Sequence, residues 1–331
     1  MDAGGYVLSL EDVKNIGPTT AKKLIDAGIK TPDHLSVMRP DELKALVGFN
    51  TKQAKETIQS ALDLAYRSVR IYNASEYKEY RKDTIRYIST GSNVLDEYFG
   101  GGWQSMSTNG LFGEGASGKT QMVNSAIISC VDMGLHALVE ETETNTVNVD
   151  RLEEIAKSRG LNFNPELVHI YPAVNVGTVF GQFRGYIFLE KEAEKNGYDV
   201  GLITVDSFNA KFRRAYSGRE MYPERAQEFG RHIDYLEEMC KKFNAAVLLT
   251  FQCGVTPDPG GELEDKMKYH GSFYPVGGTL VMHNINTWMS LQQKGGGEKS
   301  VKTYHASITD HNFLPSRSFD FVIDESGVSD V

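Results

Sequence analysis

Cysteine is scarce in this chain of 331 residues: only Cys130, Cys240 and Cys253 occur, each inside an apolar segment. Three thiols so placed make neither a disulfide frame nor a cysteine metal site, and they read as reduced core residues. No apolar run approaches the roughly 20 residues that a membrane-spanning helix needs. Met1-Asp2-Ala3-Gly4-Gly5 also lacks a basic stretch leading into a hydrophobic one. No membrane partner is therefore expected, and the chain is expected inside the cell, in a prokaryotic cytoplasm beside the nucleoid or in a eukaryotic nucleus. Positive charge is in deficit, with 35 Lys and Arg against 44 Asp and Glu and a net charge of −9. That excludes a surface acting as a general sink for polyanions. Local basic clusters remain, at Arg213, Arg214, Arg219, Arg225 and Arg231 and at Lys294, Lys299 and Lys302.

Against these absences stands one complete motif. Gly113-Glu114-Gly115-Ala116-Ser117-Gly118-Lys119-Thr120 matches the GxxxxGK[ST] phosphate-binding loop, and Gln121 follows it. Gly113 and Gly118 let the backbone turn tightly so that amide N–H groups face phosphate oxygens, and the next helix presents the positive end of its dipole. Lys119 then reaches the β- and γ-phosphates, and Thr120 supplies a hydroxyl to Mg²⁺. Met122, Val123, Ala126, Ile127, Cys130 and Val131 recur at helical spacing after the loop. Before it, Ser107-Thr108-Asn109-Gly110-Leu111-Phe112 is a poor strand by propensity, acceptable only if short and buried at a sheet centre.

The length suggests two domains, or one large domain with an appendage. Residues 1–65 hold two similar phrases, Ile16-Gly17-Pro18-Thr19-Thr20-Ala21 and Val47-Gly48-Phe49-Asn50-Thr51, each a glycine turn before a helix with Thr or Asn as cap. This pattern is that of a helix-hairpin-helix unit, whose amides meet DNA phosphates, or of a small bundle used for protein contacts. Residues 66–86 are charged and tyrosine-rich and read as a linker. From there to residue 331, strand cores at Ala137–Val139, Val168–Tyr171, Leu202–Asp206 and Ala245–Phe251 alternate with helical patterns, among them a core helix over 226–243. That alternation predicts an α/β core with a mostly parallel central sheet and helices on both faces.

Hydrolysis needs further groups around the γ-phosphate. Asp206 ends the apolar run Leu202–Val205 and is placed to hold Mg²⁺ with Thr120. One of Glu140, Glu141 and Glu143 is a candidate general base, the others being solvated turn acids. Gln252 closes the next strand, where its amide can sense the γ-phosphate.

The order of these motifs, from Ile88-Ser89-Thr90-Gly91-Ser92 through Phe112–Gln121, Val205-Asp206-Ser207 and Tyr216-Ser217-Gly218-Arg219 to Pro275-Val276-Gly277-Gly278 and Leu314-Pro315, resembles the archaeal RadA and eukaryotic RecA-like strand-exchange recombinases over essentially the whole chain. The resemblance implies a RecA-like core behind an all-α helix-hairpin-helix domain, filaments or rings of the chain itself, and single-stranded DNA with homologous double-stranded DNA as partners. It implies Glu143 as catalytic glutamate with Lys119 and Gln252, Arg151 stacking on adenine, and Asp310 and Pro315 capping ATP from the next subunit, with K⁺ near that cap left open. It further implies DNA contacts at Arg213, Arg219, Arg225, Gly277 and Gly278, a relay at His283, and a polymerisation motif at Ile71 and Ala74. Ile71 stands where the family has phenylalanine, Glu141 where aspartate is usual, and Phe251 where asparagine precedes the glutamine, which marks a divergent member. The implied function is an ATP-dependent recombinase, a DNA-dependent ATPase acting in recombinational repair. The alternative is a mediator that binds ATP and a recombinase without exchanging strands, and a hexameric RecA-core motor is a third.

Overall fold

A computed structural model describes residues 9–68, 71–216, 219–255, 273–275, 283–294 and 302–331. The chain divides into two compact units, up to Lys82 and from Asp83 onward.

In the N-terminal unit, a short 3-10 turn is followed by α1 (Pro18–Asp26), α2 (Pro32–Ser36), α3 (Pro40–Val47) and α4 (Thr51–Ser68). The first three begin on proline, at the position where a missing N–H costs nothing. Gly48 takes φ = 80° to close α3, so it ends one helix and does not open the next. Asn50 is the cap of α4: its side chain accepts from the Gln53 amide at 2.8 Å, and the Gln53 side chain accepts from the Asn50 amide at 3.1 Å. Leu24, Leu35, Leu43, Ala54 and Ala61 form the core of this unit. Within the stretch read as a linker, residues Ala74–Thr84 form α5, which buries none of its residues. Tyr72, just before the helix, stacks on Tyr80 within it, with ring centroids 4.8 Å apart.

The second unit begins with β1 (Tyr87–Ile88), α6 (Asn93–Phe99) and β2 (Trp103–Gln104), and β1 and β2 form a small antiparallel pair. There follow β3 (Ser107–Gly113), α7 (Lys119–Asp132), β4 (His136–Glu141), α8 (Val149–Arg159), β5 (Val168–Tyr171), α9 (Val179–Asn196), β6 (Val200–Asp206), α10 (Ala210–Ala215), α11 (Tyr222–Phe243), β7 (Ala246–Val255) and β8 (Phe273–Pro275). The chain ends in β9 (Thr287–Gln293), β10 (Thr303–His311), β11 (Arg317–Asp324) and β12 (Gly327–Asp330). The main sheet runs β12-β11-β10-β9-β3-β7-β6-β4-β5, with β8 beside β7. From β9 to β5 neighbouring strands are parallel, whereas β10, β11 and β12 are antiparallel. Those last strands had no counterpart in the sequence reading, because the alternation with helices stops after β7.

Alternation along the parallel strands divides the core into two layers. Leu111, Ala137, Val139, Leu202 and Leu248 pack with α7 and α8. Phe112, Leu138, Ile203, Val205, Val247 and Leu249 pack with α9 and α11. Both faces of the sheet are thus covered, as a buried parallel sheet requires. The weak strand before the glycine loop is β3, buried from Thr108 onward and flanked by β7 and β9. Its polar residues have reasons to be there. Asn109 donates to the Val247 carbonyl at 3.1 Å, and Gly110 lies in register with Trp288 of β9. A Cβ on Gly110 would come within 2.6 Å of the Trp288 ring at Cε3. Gly110→Ala should therefore lower stability by about 1–3 kcal/mol through overpacking, read as a drop in thermal midpoint; an unchanged midpoint would contradict the close ring–backbone contact.

Candidate functional site

Because β3, β4, β6 and β7 run parallel, their C-terminal ends reach the same edge of the sheet, and chemistry collects there. The glycine loop leaves β3 at Gly113 and enters α7 through Gly118, whose φ is 94°. Side chains are excluded at both glycines. A Cβ on Gly113 would run into the Leu291 carbonyl and Ser117, and one on Gly118 would lie 2.7 Å from Ile323 Cδ1. Lys119 Nζ donates to the carbonyls of Gly113 and Glu114, each at 2.8 Å, and to Ser117 Oγ at 3.3 Å. Burial pulls its pKa down, while the charges of Cys253, Asp206 and Glu143 hold it up.

Asp206, only 5% exposed, ends β6 beneath that loop. Thr120 Oγ1 donates to its Oδ2 at 2.8 Å, and Thr250 Oγ1 donates to Oδ1. Desolvation pushes the Asp206 pKa up and the two hydroxyl bonds pull it back. A hydroxyl and a carboxylate side by side under a lysine suit a hard, oxygen-ligated divalent ion beside phosphate oxygens, and the donor set of the loop fits a nucleoside triphosphate with Mg²⁺.

The three acids after β4 separate by position. Glu140 is fully buried in the sheet. Glu141 Oε1 accepts from the amides of Thr146 at 3.0 Å and Val147 at 3.2 Å, so it shapes the turn. Glu143 alone joins the site: its Oε1 accepts from Gln252 Nε2 at 2.8 Å and from Ser207 Oγ. Gln252 also accepts, at Oε1, from Arg213 Nη1 at 2.8 Å. Its backbone is fixed by Asn209, which accepts from the Gln252 amide at 2.8 Å and donates to its carbonyl at 2.9 Å. A cavity of about 480 Å³ is bounded by Gly113–Ala116, Lys119, Thr120, Glu143, Asp206, Arg213, Gln252 and Cys253.

Other candidate residues lie elsewhere. Arg151, on α8, donates to the carbonyls of Asp324 at 2.6 Å and Glu325 at 3.1 Å and does not line this cavity. Asp310 and Pro315 are exposed at the end of β10 and in the loop before β11. Pro315 is held through its carbonyl by Tyr98. His283 is exposed ahead of β9. Arg225 lies over the Tyr222 ring, 4.4 Å from its centroid. Arg219 begins a 3-10 turn. Gly277 and Gly278 lie outside the described residues. Ile71 is 73% exposed, and Ala74 opens α5. Thr250, Ser207 and Asn209 belong to the site but were not singled out by sequence. The available signal for Thr250 was its place two residues before Gln252, on the same face of a strand.

Comparison with known proteins gives the same picture for both units. Residues 80–331 match the Rad51 family model. Residues 7–61 match that of the SAM-like helix-hairpin-helix tandem. The DNA repair and recombination protein RadA of Ignicoccus hospitalis is 30% identical over 333 residues, covering 97% of this chain and 95% of that one. A phosphate loop at the centre of a mostly parallel sheet, preceded by a helix-hairpin-helix unit and matched along its length by these relatives, places the chain in the Rad51 family of RecA-like recombinases.

Proposed function

We propose that the chain is an ATP-dependent recombinase that assembles as a helical filament on single-stranded DNA and pairs that strand with a homologous duplex. The observation that carries this reading is the hydrogen-bonded run Ser207–Glu143–Gln252–Arg213, which links an acid at the nucleotide cavity to a cation at the start of a basic segment. In this account Lys119 and the loop amides hold the triphosphate, and Glu143 accepts a proton from the attacking water. Mg²⁺, held by Thr120 and Asp206, would supply charge neutralisation at the phosphates.

Gln252 reports the state of the γ-phosphate to Arg213. Arg213, Arg219 and Arg225, with Gly277 and Gly278, contact DNA, and His283 relays nucleotide state to them. Arg151 lies against the adenine. Filament growth uses Ile71 and Ala74 as a plug for the next subunit. The exposure of Asp310 and Pro315 suits a cap over a neighbour's nucleotide, with K⁺ as a candidate ion there. ATP then acts as an assembly switch, because its γ-phosphate is present only before hydrolysis.

Incubation with single-stranded DNA and a homologous supercoiled duplex should yield joint molecules that require ATP, with hydrolysis stimulated by DNA, and Lys119→Ala should give neither. ATP binding without joint molecules or DNA stimulation would sink the recombinase reading in favour of a mediator. Arg225→Ala should weaken DNA binding and reduce the log–log salt slope by about 0.7, the contribution of one single-strand phosphate contact; an unchanged slope would confine Arg225 to its packing on Tyr222.

A further inference from the structure

A second cavity, of about 530 Å³, lies on the other side of Glu143 and Gln252, lined also by Lys211, Arg213 and Arg214. Glu143, Gln252 and Arg213 line both cavities, so they form a shared wall. The charges in the second cavity do not balance. Three cations face one carboxylate, and Glu143 is already engaged by Ser207 and Gln252. Lys211 is the unusual member. It is 4% exposed and borders the cavity, yet its ammonium makes no hydrogen bond or ion pair among the described residues. Glu140 lies behind it, fully buried. Desolvation holds that carboxyl well above the ordinary range, which weakens it as a counter-charge. A cation drawn largely out of water, opening onto this cavity and opposed among the described residues only by Glu143 and a desolvated carboxyl behind it, is completed by an anion in the cavity.

We propose that this cavity is a binding site for inorganic phosphate, with Lys211 and Arg214 as its principal ligands and Arg213 at its entrance from the nucleotide cavity. The proposal rests on the hydrolytic reading given above. Water attacks the γ-phosphorus, the bond to the β–γ bridging oxygen breaks, and the proton passes to Glu143. Inorganic phosphate is then set free beside the shared wall. A cationic pocket directly across that wall receives a tetrahedral oxyanion through charge-assisted hydrogen bonds and gives the product a route that does not retrace the nucleotide's entry.

The test is calorimetric titration of inorganic phosphate, at constant ionic strength, into the full chain saturated with Mg²⁺ and a non-hydrolysable ATP analogue. The expected result is one phosphate per chain, bound about tenfold more weakly by Lys211→Met and by Arg214→Ala, as follows from losing one charge-assisted bond, with analogue affinity unchanged. Arg214 is exposed, so its variant keeps the test readable if Lys211→Met does not fold. Equal phosphate affinity in wild type and variants would overturn the proposal, as would phosphate binding that vanishes when the analogue is present. The same holds if both variants lose affinity for single-stranded DNA while phosphate binding stays intact, because the cations would then belong to the DNA surface. Failure of the analogue to bind would count against the nucleotide reading alone, and Lys211-dependent phosphate binding in that protein would still support the pocket.

Discussion

One side-chain amide holds the centre of this molecule together. Gln252 donates from Nε2 to Glu143 and accepts at Oε1 from Arg213, each at 2.8 Å. The two ends of a carboxamide are chemically opposite, so turning it over would set its oxygen against a carboxylate and its NH₂ against a guanidinium. The amide therefore has one stable orientation, and a change on either side is felt on the other. Asn209, bonded to the Gln252 backbone in both directions, removes the remaining freedom of the strand end.

The rest of the core explains why that amide can be placed so closely. Asp206 joins three elements at one carboxylate: β6, which carries it, α7 through Thr120, and β7 through Thr250. Gly113 pairs with Gln252 across β3 and β7, so the phosphate loop and the amide share one register. A slip of β7 by one residue would turn Gln252 to the opposite face. Packing of α7 on one face of the sheet and α11 on the other fixes that register.

Much of this was legible from sequence because its signals are local. Eight contiguous residues define the phosphate loop, and the strands β4, β6 and β7 show apolar runs leading to an acid or amide. Other features were not legible because their cause is distant in the chain. β3 looks weak as a strand because Gly110 makes room for Trp288 and Asn109 serves the Val247 carbonyl. Among three glutamates within four residues, only the turn at Thr146–Val147 separates Glu141, which caps it, from Glu143, which faces the cavity. Lys211 carries no signal of its own in the sequence beside Arg213 and Arg214, and only the fold draws it out of water. The segment 74–84 lacks an apolar stripe, yet it is helical beside stacked tyrosines.

The central claim is that Gln252 couples the nucleotide to DNA. Coupling is reciprocal and measurable as the ratio of DNA affinities in two nucleotide states. The decisive measurement is the affinity for a single-stranded oligonucleotide with an ATP analogue and with ADP, in wild type and in Gln252→Met, which keeps the volume but loses both hydrogen bonds. The account predicts tighter DNA binding with the analogue in wild type and equal affinities in the variant, with nucleotide binding retained. A variant that keeps the wild-type ratio would contradict it.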